Sequence, residues 1–276
     1  MTAAAFHRGR RQDYELSILA GMDSFAYTIR DRTRNELLAY RSHRLEAGES
    51  DDWEGVIDTY LRSDHRLSGA ATYGRCVLAW NGAEITLVPA PLFDDGDPGA
   101  YLESLTVIGL QDTVRTYHSA VQDGTFVYAV GQERLTMLEQ FLQPTHTVPY
   151  AAGLLDGWSK RSERLGQERV SCAIRCDHLF VAGHSHGALR YFNRFPYRTA
   201  ADVTYFVLLA YSQSAFATDR IGLYLSGDIT EQGEIFGELR RYVADIQFGV
   251  PPRSPKIPPE LSQVRTHQIY DLLCLS

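Results

Sequence analysis

Three groups of side chains have types and spacings that could do chemistry. Gly183-His184-Ser185-His186-Gly187 fits the G-x-S-x-G pattern of a nucleophile elbow, which would make the protein a serine hydrolase. An elbow needs a strand before the serine and a helix directly after it. The run His178-Leu179-Phe180-Val181-Ala182 supplies the strand. Residues 188–195 alternate apolar and polar and stop at Pro196, so they read as a returning strand. Ser185 is therefore expected at a hairpin tip, exposed, with no acid in the turn to orient a histidine base. Cys172, Cys176, His178, His184 and His186 are zinc-ligand types. Cys172 and Cys176 lie about 13 Å apart at strand rise, too far to share one ion, and packing cysteines are expected instead. Asp94, Asp95 and Asp97 fall in a Gly- and Pro-containing loop and read as solvated charges, not as a catalytic carboxylate pair. No metal and no catalytic residue is expected.

The elements that position these residues follow from periodicity and turn chemistry. Strands are expected at 14–20, 25–30 and 36–44. A helix follows over 51–62, capped by Ser50-Asp51-Asp52, with Trp53, Ile57 and Leu61 at helical spacing. Strands 75–80 and 84–88 read as a hairpin across Asn81-Gly82. A short helix at 98–105, strands at 114–120 and 125–130 and a helix at 133–142 complete the first half. Residues 144–149, bounded by prolines, mark the boundary between lobes 1–147 and 148–276. The second half reads as a helix at 150–164, strands at 169–175, 178–183 and 188–195, a helix over 199–216 and a strand at 221–226. Thr199 and Asp202 have capping-box spacing, and that helix looks apolar almost all round. Asp228 is expected to cap a further helix, followed by a last strand at 245–248. Residues 250–259 carry five prolines and are expected to leave the compact body, before 261–275 packs back.

Composition narrows the function classes. A net charge of −7 argues against a nucleic-acid or anionic-membrane binder, and no apolar span reaches the roughly 20 residues of a membrane helix. The basic run His7-Arg8-Gly9-Arg10-Arg11 reads as a frayed terminus. No signal peptide is apparent, and the four cysteines suit reduced thiols, so a cytoplasmic protein is expected.

The order strand, strand, strand, helix, strand occurs twice, at 14–80 and again at 169–226. Three antiparallel strands, a crossover helix and a parallel strand make a ribonuclease-H-like unit. Two such lobes in tandem, each α/β with a mixed sheet, are the plan of the actin-like ATPase fold.

Four stretches carry a family resemblance: 195–208 (Phe195-Pro196-Tyr197-Arg198-Thr199 onward), 223–229, 242–249 and 86–94 (Thr86-Leu87-Val88-Pro89-Ala90-Pro91). They resemble an uncharacterised, mainly Bacteroidota family, domain of unknown function 3822. That resemblance implies an actin-like ATPase fold, akin to pilus-assembly and secretion-system cytoplasmic proteins. Nucleotide sites of that superfamily cradle phosphates in two glycine-containing hairpin turns, with acids nearby for Mg²⁺. Gly21 and Ser24 match part of the first turn. Leu19 stands where its acid is expected, and Asp23 is shifted into the turn. The second turn falls at Arg175-Cys176-Asp177 and has no glycine. The adenosine motif is reduced to Ser226-Gly227-Asp228. Gly21, Asp23, Ser24, Asp177, Ser226, Gly227 and Asp228 are thus the candidate cofactor-binding residues. Their structural alternative is that the glycines serve turns and Asp228 caps a helix.

The expected function is a non-catalytic scaffold or protein-binding module with a degenerate nucleotide site and no required cofactor. The alternatives are an ATP–Mg-binding protein or weak ATPase, and third a serine hydrolase. The partner is expected to be a protein; the residues identify neither it nor an oligomeric state.

Overall fold

The computed structural model describes residues 2–22, 24–45 and 52–275. Asp23 and the expected cap residues Ser50 and Asp51 lie outside them. The chain divides into two compact units. One is the chain up to residue 153 with 255–263 and the C-terminal end, and the other is 154–254 with 264–274. The division falls inside the helix that follows Pro149. Among the described residues no helix is long and apolar enough to cross a membrane.

The first unit contains β1 (Tyr14–Gly21), β2 (Ser24–Asp31), β3 (Glu36–Arg44), α1 (Trp53–Ser63), β4 (Arg75–Asn81) and β5 (Ile85–Pro89). It continues through α2 (Gly99–Glu103), β6 (Asp112–Ser119), β7 (Gly124–Gly131), α3 (Gln132–Leu142), β8 (His146–Pro149) and the first turn of α4 (Tyr150–Leu165). Its main sheet has the order β3-β2-β1-β4-β8, antiparallel from β3 to β1 and parallel from β1 to β8. All eight residues of β1 are buried, as a central strand covered on both faces requires. Leu16 and Ile18 pack with Trp53, Ile57 and Leu61 of α1 and Leu135 and Leu138 of α3.

Two expectations are corrected here. β4 and β5 do not form a hairpin: both edges of β4 are taken, by β1 and β8, so β5 leaves to pair with β7 in a separate sheet of order β5-β7-β6. Residues 146–149 are a strand on the edge of the first sheet, not only a connection. The N-terminus is also held. Thr2 bridges Ala39, and Arg11 donates to the carbonyls of Ser68 and His65, both at 2.7 Å, while stacking over Tyr73.

The second unit takes up the rest of α4 and then β9 (Glu168–Ile174), β10 (His178–Ser185), β11 (Ala188–Pro196), α5 (Ala200–Gln213), β12 (Leu223–Gly227), α6 (Glu234–Leu239), β13 (Ile246–Phe248) and α7 (Tyr270–Cys274). The sheet order β11-β10-β9-β12-β13 repeats the first unit's plan, with β9–β12 and β12–β13 parallel. Thr199 accepts from the Asp202 N–H and Asp202 accepts from the Thr199 N–H, completing the capping box of α5. Only one face of α5 is buried, at Ala200, Val203, Thr204, Val207, Ala210 and Tyr211; Tyr205 is exposed. Asp228 does not cap α6, whose N-cap is Gly233. The proline-rich stretch does not leave the compact body. Lys256 bridges Glu36 beside β3 in the first unit, and Leu261 is buried. Prolines are compatible with such an edge because they need no ladder donor.

One buried charge organises the α1 side of the first unit. The Asp64 carboxylate accepts from Tyr27 Oη (2.5 Å), Arg41 Nη1 (3.0 Å), Arg66 Nε (2.7 Å) and Arg66 Nη2 (2.8 Å). Burial alone would raise its pKa, but the hydrogen bonds from Arg66, Tyr27 and Arg41 hold it well below the usual carboxylate range. This contribution is complete above the unfolded pKa of about 4 and is lost as pH falls through the lower folded value. Asp64→Asn is expected to cost about 3 kcal/mol or more at pH 7. Urea midpoints across pH 7 to 2 should show wild type losing stability below about pH 4 and the variant, already weaker, changing less.

Candidate functional site

The second unit gathers the candidate residues at one end of its sheet. The turn Arg175-Cys176-Asp177 joins β9 to β10, and β12 ends in register beside it, Gly227 opposite Ile174. Gly227 has φ +86°, and a Cβ there would lie 2.1 Å from the Ile174 carbonyl oxygen, so only glycine fits. Three backbone donors here are engaged within the protein. The Gly227 N–H donates to His267 O (2.7 Å), the Asp228 N–H to Ile174 O (2.8 Å) and the Arg175 N–H to His178 O (2.9 Å). Ser226 is buried, its Oγ donating to Cys172 O at 3.4 Å.

The side chains close the same end. Arg175 donates to Asp271 on α7, and its Nη1 lies 4.0 Å from Asp228 Oδ1. The Arg175 and Asp271 side chains are only 12% and 5% exposed, so this pair is largely out of water. Asp177 points outward but contacts His178 Nδ1 at 2.6 Å. The Tyr197 hydroxyl donates to the Arg175 carbonyl, and the Tyr197 N–H donates to that of Asp177 at 2.9 Å. Burial first, and then the neighbouring Cys176, Asp228 and Asp177, push the Tyr197 hydroxyl up to about 12, so it stays a protonated donor. A phosphate cradle needs N–H groups and positive charge directed at the ligand, with acids available to a metal. Here the guanidinium at the turn is held by Asp271, and Asp228 lies beside it.

Gly21 and Ser24 lie in the first unit, at the β1–β2 turn. Gly21 ends β1 opposite Asn81, and its carbonyl accepts from Trp53 Nε1–H at 2.9 Å. Ser24 opens β2 and is half-buried. Leu19, where the superfamily's acid would stand, is a fully buried apolar side chain. The structure thus brings Asp177, Ser226, Gly227 and Asp228 together in one unit, with Gly21 and Ser24 in the other.

Ser185 is the last residue of β10, and the hairpin tip is His186-Gly187, with φ of +52° and +91°. The expected exposure of its hydroxyl is corrected. Ser185 is 7% exposed because pairing with Glu168 continues to the end of β10; its Oγ donates to Glu168 Oε1 (3.1 Å) and lies 3.1 Å from His186 Nδ1. A strand, not a helix, leaves the turn, so this is no elbow. Cys172 is buried in the α5-facing core, and burial raises its thiol pKa. Sequence reading did not find Arg175, Tyr197 or Asp271 as site-shaping residues. Asp271 lies 96 positions from Arg175, and nothing local marks it.

The two matching sheets define an actin-like ATPase fold. The chain is similar in structure to a Bacteroides thetaiotaomicron protein with actin-like ATPase fold and unknown function, at TM-score 0.78 and 16% identity, covering 98% of this chain and 99% of that one. It is also similar to a chain of the PilM-PilN type IV pilus biogenesis complex, at TM-score 0.58 and 12% identity, covering 95% and 97%. No curated protein matches the sequence. The chain belongs to the family described as protein of unknown function (DUF3822), whose model matches residues 4–246.

Gly227→Ala is expected to destabilise the chain by at least about 2 kcal/mol, from a left-handed backbone plus a contact with Ile174 that cannot relax. Chemical denaturation should show this as a lower midpoint with an unchanged slope; a midpoint equal to wild type would contradict the geometry.

Proposed function

We propose that this protein keeps the actin-like fold without ATPase catalysis and works by binding another protein. The observation that carries the proposal is the Arg175–Asp271 pair with Asp228 beside it, at the turn where a phosphate cradle would be needed. The absence of glycine from that turn and the buried Leu19 in the first unit support the same reading. A nucleotide bound there would have to displace a nearly dry ion pair, whose rupture leaves a buried charge unpaired. Protein binding is supported by the likeness to a chain of the PilM-PilN complex. It is also supported by Leu105, Val107 and Leu110, which are exposed in the connection between α2 and β6. The proposal places the protein in the cytoplasm, where its cysteine thiols, Cys76 and Cys172 buried among them, stay reduced.

The alternative function is ATP binding through Asp177, Ser226, Gly227 and Asp228 in the second unit and Gly21, Asp23 and Ser24 in the first. A ligand at 100 times its dissociation constant stabilises by about 2.7 kcal/mol. Millimolar Mg-ATP is expected to leave the melting temperature within about a degree, with phosphate release at blank level. A rise of several degrees, with release above blank, would establish the alternative.

A further inference from the structure

The second unit's sheet has an apolar face, where Val170, Cys172, Leu179, Val181, Leu223 and Leu225 pack with α5. Residues out of phase with these point to the opposite face. There Arg169 on β9 stands directly across from His184 on β10, and Ser171, two residues along β9, is in register with Tyr224 on β12. Arg169, Ser171 and His184 are at most 1% exposed. Arg169 Nε and Nη1, Ser171 Oγ and both ring nitrogens of His184 have no hydrogen-bond partner among the described residues. Buried polar atoms are nearly always paired, so five such atoms on three adjacent positions call for a bound water or a ligand.

The sign of the charge says which ligand. Arg169 stacks 3.7 Å over the Tyr224 ring, which faces the plane of the guanidinium but leaves its in-plane N–H groups unmet. Among the described residues the groups found to act electrostatically on Arg169 are the hydroxyls of Tyr270 and Tyr224 and the cation Arg161, and no carboxylate is among them. An unpaired buried guanidinium is costly, and a water molecule could bond to it without neutralising it. Burial, and then the positive charge of Arg169, push His184 down to about 3, so at neutral pH its imidazole is uncharged and offers one N–H donor. From this placement of donors, with no acid to match them, we infer that Arg169, Ser171 and His184 form a buried binding site for a small inorganic anion of halide size. Side chains at most 1% exposed leave no opening to solvent for a nucleotide or a peptide carboxylate. The site is separate from the turn at Arg175, which follows the end of β9 six residues after Arg169, about 20 Å at strand rise.

The test uses the full chain and chloride or bromide as probes. Crystals grown in sodium bromide should show an anomalous peak within hydrogen-bond distance of Arg169 Nε or Nη1. In solution at constant ionic strength, replacing gluconate by chloride should raise the melting temperature by several degrees, saturably. Ser171→Ala, a small change, should fold and need several-fold more chloride for the same rise. Arg169→Met should lose the chloride dependence if it folds. Wild-type crystals without the bromide peak, together with equal melting in the two salts, would overturn the site. So would a folded Arg169→Met that keeps the full chloride response, or a water molecule alone in the density beside Arg169.

Discussion

The ion pair between Arg175 and Asp271 is the interaction on which the character of the candidate site depends. It links the turn after β9 to α7, and Asp228 beside it brings in the end of β12. These three pieces are far apart in sequence and adjacent in space. Two largely buried charges are costly to separate, because each would be left without water or partner. The pair therefore fixes the turn after β9 against α7, with the Arg175 guanidinium already held by a carboxylate. Tyr197 reinforces it by holding the carbonyls of Arg175 and Asp177 through its hydroxyl and its N–H.

The two units show how one topology tolerates different fillings. Both sheets run three antiparallel strands and then two parallel ones. In the first unit the equivalent hairpin is packed by Leu19 and tied to α1 by the Trp53 indole on the Gly21 carbonyl. In the second it is tied by charge. Sheet order follows from strand length, twist and the crossover helix, which are indifferent to the identity of the turn residues. That separation is why a shared fold carries no particular activity.

Much of this architecture was legible in the sequence, because its signals are local. Alternation marked β11, a short apolar run marked β10, and Thr199 with Asp202 marked the start of α5 through a bond pair that spans three residues. What was not legible depends on competition between distant segments. The Asn81-Gly82 dipeptide is a good turn signal, yet β4 had no free edge left to offer β5. The prolines at 251–259 suggest a departing tail, but proline is also suited to an edge, and Lys256 lies beside β3. Ser185 sits beside a true tip, and the partner that buries it, Glu168, comes from the preceding strand. In the candidate site, the missing glycine in the second turn and Leu19 in the first were visible. The reason Arg175 takes that place was not, because Asp271 lies near the far end of the chain and carries no motif.

The most direct measurement is an amide-resolved NMR titration of the isotope-labelled chain with Mg-ATP, read at Cys176, Asp177, Gly227 and Asp228. The account predicts that these resonances stay in place up to millimolar nucleotide. Saturable shifts confined to these amides, with Arg175 released from Asp271, would contradict it.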